Sequence, residues 1–189
     1  MDYAELLHTI KSLGYTRIAV TGLLCSGVGI ASKCLAADLK IDVVPPEIFG
    51  HFDYLKFIHR VCLKRRYIAC CPLLLPYLQN MPGDVFVVML NRDMDAVVDS
   101  QRRHKVVPST RETDIFNQYK ALTATDLNHA KLQFVERFIA PTRQFEYLDF
   151  DSLKLHPLFV SKQITSTTLA AKTAKRKKPV RRTVAASRR

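Results

Sequence analysis

Several features that would assign a function at once are missing from this sequence. No apolar run approaches the length of about 20 residues that is needed to cross a membrane. The acidic residues near the start, Asp2 and Glu5, argue against a signal peptide. The five cysteines have no CxxC spacing, and their odd number argues against a closed set of disulfides. The histidines show no metal-like spacing to cysteines or acids. We therefore expect a cytoplasmic protein with reduced cysteines, no metal and no membrane partner.

The lysine of an ordinary P-loop is missing as well. The stretch that begins at Gly22 is not GxxxxGK[ST], because Gly27 is followed by Val28 and Gly29, and no lysine precedes Ser32. This departure disfavours an ordinary P-loop kinase or ATPase.

Acidic residues are missing from residues 161–189, which hold 10 of the 29 Lys and Arg residues. The 19 basic and 17 acidic residues before them leave a nearly neutral body, so most of the overall charge of +12 belongs to the tail. The tail has too few apolar residues to offset the entropy of ordering, which predicts disorder. We expect a domain over 1–160 and a basic tail over 161–189. Residues 172–189 suit nucleic acid, or nuclear localisation if the host has a nucleus, although a merely solubilising tail has the same composition.

What is present is an alternation of apolar runs and helical patterns. A chain of 189 residues with 48% hydrophobic residues is long enough for one well-packed domain. Apolar runs that predict strands are 17–21, 41–44, 67–71, 85–90 and 145–150. Segments whose apolar residues recur at helical spacing separate these runs. We therefore predict a three-layer α/β/α domain with a mostly parallel sheet of about five strands.

The run Val85 to Leu90 is typical of a central parallel strand, because it is rich in Val and apolar throughout. Arg92 follows at its carboxyl end, and a helix that carries Ser100 comes next. Ligands of open α/β sheets bind in the crevice at the carboxyl ends of the strands. Arg92 is therefore predicted at the mouth of a ligand site, although a strand-to-helix turn in which Arg92 merely pairs with Asp95 explains the local pattern equally well.

This segment resembles the one that sulfotransferases, particularly bacterial ones, use to hold the 3′-phosphate of 3′-phosphoadenosine 5′-phosphosulfate (PAPS). The family has an arginine, then a serine eight residues later that is often followed by glutamine, and Arg92, Ser100 and Gln101 stand at those places. A guanidinium and a hydroxyl are suitable donors to phosphate oxygens. Met94 replaces the usual proline. The resemblance extends from about Arg17 to Pro157 and implies a P-loop NTPase/sulfotransferase-like fold with PAPS as sulfuryl donor.

The loop after the first strand is similar to the sulfotransferase loop that grips the 5′-phosphosulfate. The residues that the resemblance assigns to this role are Gly22, Leu24, Cys25, Ser26, Gly27 and Val28. Backbone N–H groups of such a loop and the dipole of the next helix attract a phosphate. Two departures weaken catalysis, because Cys25 and Cys70 stand where the family has basic residues that would offset the charge of the transition state.

Two residues are candidates for the general base on the acceptor. Glu47 follows the second predicted strand, where some sulfotransferases that act on saccharides have a glutamate, and His51 titrates near neutral pH. A helix-capping Glu47 and a surface His51 are the plainer interpretation.

Three functions stay open at this point. The first is a PAPS-dependent sulfotransferase, or a divergent relative, that acts on a hydroxyl or amine of a small molecule or saccharide. The second is an inactive nucleotide-binding protein that its basic tail tethers to nucleic acid or to an assembly. A small-molecule or nucleotide kinase is the third, disfavoured by the P-loop departure.

Overall fold

A five-stranded parallel sheet forms the centre of the protein. We describe residues 1–50, 53–72, 74–106 and 123–160 of a computed structural model. The strands are β1 (Arg17–Gly22), β2 (Val43–Val44), β3 (Tyr67–Cys70), β4 (Phe86–Asn91) and β5 (Phe145–Asp149). Their order is β2-β3-β1-β4-β5, and every neighbouring pair is parallel. The predicted sheet is confirmed in its strand number and its direction.

Of the helices, one precedes β1 and the others lie between strands in the sequence. They are α1 (Tyr3–Leu13), α2 (Val28–Leu39), α3 (Tyr54–Phe57), α4 (Met94–Arg103) and α5 (Ala124–Phe134). Two of them continue as π-helix, α3 over Ile58–Cys62 and α5 over Val135–Ile139. Local chemistry explains where α1 begins and ends: Asp2 and Glu5 form a capping box, and Gly14 takes the left-handed conformation at φ 71° that ends many helices.

Apolar side chains cover both faces of the sheet. On one face, Leu6 and Ile10 of α1 and Leu35 of α2 pack against the strands. On the other, Phe57 of α3 and Leu127 of α5 belong to a second cluster. All apolar side chains of β4 are buried, which explains why the sequence of this strand is a continuous run rather than an alternating one. This arrangement confirms the predicted three layers.

The structure also bears on the cysteines, on membrane-spanning helices and on metal-binding groups. All five cysteines are free, as predicted. None of the helices in the described residues is long and apolar enough to cross a bilayer, and the described residues contain no group of His, Cys, Asp or Glu suited to a metal. The basic tail and His51 lie outside the described residues.

The topology creates a crevice between β1 and β4. The chain leaves β1 through α2 toward β2 at one edge of the sheet, and it leaves β4 through α4 toward β5 at the opposite edge. Connections that diverge from neighbouring strands open a crevice at the carboxyl ends of those strands. The loop after Gly22 and the residue Arg92 border this crevice.

Candidate functional site

The loop between β1 and α2 has a compact conformation that two glycines make possible. A Cβ at Gly22 would lie 2.5 Å from the Oγ of Ser26. Gly27 has a φ of 103°, which is unfavourable for other residues, and the ring of Phe150 packs directly against it. Cys25 has a φ of 68° although it is not glycine, and such residues often mark functional sites.

Two side chains of the β4–α4 segment hold this loop by its carbonyl groups. Arg92 donates from Nη1 to the carbonyl oxygen of Cys25 at 2.7 Å, and Gln101 donates from Nε2 to that of Leu24 at 2.9 Å. The guanidinium of Arg92 also lies over the ring of Phe150, 4.4 Å from its centre. Because the C=O and N–H of a trans peptide point in opposite directions, the hydrogen bond to Leu24 turns the N–H of Cys25 away from α4.

Gln101 is itself held by a buried amide pair. The Nδ2 of Asn128 donates to the Oε1 of Gln101 at 3.1 Å, and the Nε2 of Gln101 lies 3.4 Å from the Oδ1 of Asn128. Asn128 belongs to α5 and is 2% exposed. The loop is therefore connected to α5 through two side-chain amides.

We expect Gln101→Ala to lower the free energy of unfolding by about 1–3 kcal/mol, because it leaves the buried amide of Asn128 and the carbonyl of Leu24 without their partner. Urea denaturation measures this change, and Gln144→Ala, at an exposed glutamine, is the matched control. Equal stability of the two variants would mean that the amide pair does not hold the loop.

The loop forms one wall of a cleft of about 400 Å³. The lining residues are Leu23, Leu24, Cys25, Gly27, Val28, Gly29, Ile30, Lys33, Pro72, Ser100 and His104. None of these residues is acidic, whereas Lys33 and His104 supply a cation and an imidazole and Ser100 a hydroxyl. The first N–H groups of α2, at Val28 and Gly29, have no acceptor within their own helix. These groups together suit an anion.

A buried hydroxyl lies beneath the loop. The side chain of Ser26 is 1% exposed, and its Oγ has no hydrogen-bond partner among the described residues. A buried polar group without a partner costs about 1–3 kcal/mol. The loop thus has an unused donor next to Gly22.

The cysteine at the end of β3 is uncharged at neutral pH. Burial raises the pKa of the Cys70 thiol, and the nearby carboxylate of Glu47 raises it too, whereas the hydroxyl of Ser32 and the ammonium of Lys33 act in the opposite direction. The thiol of Cys71, which is fully buried, has a pKa well above its ordinary value for the same reason of desolvation. Neither cysteine replaces the basic residue expected at the end of this strand.

The structure separates some of the predicted site residues. Arg92 lines a second cleft, of about 250 Å³, whose other charged residues are Asp93, Asp149, Asp151 and Lys154. Ser100 lines the first cleft instead. The two residues predicted to hold one phosphate therefore lie on different clefts, and Arg92 already binds the loop. Their joint role stays a prediction.

Glu47, one of the two predicted bases, lies in a short 3-10 helix (Pro46–Phe49) just after β2, where it is exposed. Its carboxylate is near enough to raise the pKa of the Cys70 thiol at the end of β3. Its role as a base stays a prediction.

Sequence reasoning missed Lys33 and His104. Lys33 stands four residues after Gly29 on α2, and residues four apart lie on the same side of a helix. That spacing was a readable signal that a cation faces the loop. His104 follows α4, four residues after Ser100, and the same signal applies to it.

Comparisons with known proteins give a likeness in structure but none in sequence. No protein-family model matches the sequence, and no curated protein matches it. Among solved structures, a gluconokinase from Sinorhizobium meliloti 1021 is similar with a TM-score of 0.45 and 13% identity, over 87% of this chain and 98% of that one. A likeness at this level says nothing about substrate or reaction.

Proposed function

We propose that the protein binds a phosphorylated nucleotide of the PAPS type in the cleft beside the Gly22 to Gly27 loop, as a divergent relative of sulfotransferases. The observation that carries the proposal is the composition of the cleft: a compact loop, the first turn of α2, Lys33 and Ser100 meet there, and none of the described lining residues is acidic. Backbone N–H groups at a helix start favour anions, and a lysine adds charge.

The fit of such a donor to these residues is partial. The N–H groups of the loop and the unpaired hydroxyl of Ser26 are suited to a 5′-phosphosulfate. The positions that carry cations in sulfotransferases hold Cys25 and Cys70 instead, and a cysteine supplies no positive charge to stabilise developing negative charge. We infer that binding is retained and that transfer is slow.

In such a transfer, the bond between the sulfur and the bridging oxygen breaks, and the sulfur bonds to a hydroxyl or amine of a small-molecule or saccharide acceptor. The acceptor loses its proton to a base, for which Glu47 and His51 are the candidates. Among the described residues that line the cleft, Lys33 is the one lysine or arginine, so it is the residue that would stabilise the leaving oxygen.

A protein that binds the nucleotide without transfer is the second candidate, and it is favoured by the cysteines at residues 25 and 70, where sulfotransferases have cations. A kinase is disfavoured, since Val28 and Gly29 stand where a kinase P-loop has its lysine and hydroxyl. Preferential binding of ATP with Mg²⁺ would reverse this order.

We expect adenosine 3′,5′-bisphosphate to bind more tightly than adenosine 5′-monophosphate or ATP, as isothermal titration calorimetry can measure. Arg92 lines the second cleft of the same crevice, and the resemblance assigns it to the 3′-phosphate. Arg92→Ala should therefore remove most of the preference for that phosphate, about 1.5–3 kcal/mol for hydrogen bonds to a charged group. Arg102→Ala is the matched control, because Arg102 lies on α4, the helix that follows Arg92, and pairs with Asp99 at the surface.

The outcomes of this titration are distinct. Equal affinity of the natural protein for the bisphosphate and the monophosphate would rule out a 3′-phosphate site. An equal loss of both affinities in Arg92→Ala would instead assign Arg92 to the support of the loop, through its hydrogen bond to Cys25.

A further inference from the structure

A group of exposed cations and leucines lies on the helix that precedes β3. This helix, α3 with its π-helical continuation, buries Phe57, Val61 and Cys62 against the sheet. Its outer side carries Leu55, which is 70% exposed, and Leu63, directly after it, is 75% exposed. Leucines this exposed protrude from the surface rather than line a groove.

The exposed residues form two parallel rows. Leu55, His59 and Leu63 are spaced by four residues, and so are Lys56, Arg60 and Lys64. Residues four apart lie on one side of an α-helix, and the slightly wider π-helix keeps them close. Arg65 and Arg66 extend the second row and are also exposed. We call the eight residues named in this paragraph the basic leucine ridge.

The ridge has a strong positive charge. No acidic residue occurs between Tyr54 and Arg66. Asp53, just before this stretch, pairs with Lys56 at 3.3 Å and is the N-cap of α3. Within the described part of the chain, no carboxylate pairs with Arg60, Lys64, Arg65 or Arg66, so these four charges are available to a partner.

The ridge ends at the edge of the sheet opposite the anion cleft. Arg66 directly precedes the first residue of β3, and the hydroxyl of Thr16, which precedes β1, donates to the carbonyl of Arg65 at 3.1 Å. The amino ends of parallel strands share one edge, and the cleft lies at the other. A partner on the ridge leaves the cleft open.

We propose that the basic leucine ridge binds the surface of an anionic lipid bilayer. Clusters of four to eight Lys and Arg on an amphipathic helix suit anionic headgroups, and apolar side chains next to them insert at the boundary of the acyl chains. Leu55 and Leu63 protrude from a convex surface, which a deformable bilayer accepts, whereas a folded protein would need two matching holes. Nucleic acid would match the cations and leave both leucines in water.

The test uses the full chain and sedimentation with vesicles of phosphatidylcholine alone or mixed with phosphatidylserine. Residues 161–189 would attract the same anionic vesicles, so the variant changes the leucines and leaves every charge in place. We expect Leu55→Ser/Leu63→Ser to lower partition into the anionic vesicles by about tenfold or more. Leu155→Ser is the matched control, since Leu155 is 88% exposed and lies after β5, and it should partition as the natural protein does.

A charge variant completes the test. Arg60→Glu/Lys64→Glu should lower partition into anionic vesicles, and Lys11→Glu/Arg103→Glu, with the same change of charge elsewhere on the surface, should lower it less. Equal partition of the leucine variant and the natural protein, or no binding to anionic vesicles at all, would overturn the proposal. A loss of affinity for duplex DNA in the leucine variant as large as the loss for vesicles would also overturn it.

Discussion

Replacing Cys25 with Lys is expected to raise the rate of sulfuryl transfer from PAPS by about a hundredfold to a thousandfold, the effect of about 2.7–4 kcal/mol from one transition-state contact. Cys25 lines the cleft, and its carbonyl is fixed by Arg92. The substitution therefore adds a cation without changing what holds the loop. Release of adenosine 3′,5′-bisphosphate, with water as acceptor, measures the rate without knowledge of the natural acceptor.

The control for this experiment is Cys25→Ser, which has the size and polarity of the natural residue and no positive charge. Equal rates for the lysine and serine variants would show that charge at residue 25 does not limit transfer. A turnover of roughly 1 to 1000 per second in the natural protein, the usual range for enzymes, would mean that another cation already acts in the site. Lys33 would then be the first residue to replace.

Removal of residues 161–189 is expected to abolish binding to nucleic acid. The removed segment contains 10 of the 29 basic residues and none of the 17 acidic ones. Binding of such a segment to duplex DNA should weaken steeply with salt, with a slope of about 0.9 per phosphate neutralised. Fluorescence anisotropy of labelled duplexes of unrelated sequence, over a range of salt concentrations, measures both the loss and the slope.

The truncation should leave the thermal unfolding of the protein and its nucleotide affinity almost unchanged, because the sheet and both apolar clusters consist of residues before Val160. Duplex binding that survives the truncation would place a nucleic-acid site within residues 1–160. A loss of nucleotide affinity would instead mean that the tail contributes to the anion cleft.

The order of strands and helices could be read from the sequence, because it depends on local patterns. A continuous apolar run such as that of β4 indicates a buried strand whatever packs around it. Two glycines such as those on either side of the loop after β1 likewise indicate a tight loop. The candidate phosphate loop was found in this way. The neighbours of the loop were harder to predict, because Lys33 and His104 reach the cleft through two different helices.

Arg92 shows where local patterns stop being informative. Its place after a central strand predicts a position at the crevice, and that position is what the structure has. Whether the guanidinium of Arg92 binds a phosphate or the carbonyl of Cys25 depends on how closely α4 approaches the loop. No feature of the sequence around Arg92 gives that distance.

The sequence by itself determined the parallel α/β fold, the free cysteines, the lack of a P-loop lysine and the concentration of positive charge after Val160. Each of these follows from composition or from short-range spacing. Only the tertiary structure decided that Arg92 and Ser100 line different clefts, and that Leu55 and Leu63 are exposed beside a row of cations. From the sequence alone we expected no membrane partner. Whether a leucine in a helix is buried or exposed depends on which face of the helix packs on the sheet, and that packing is a property of the whole fold.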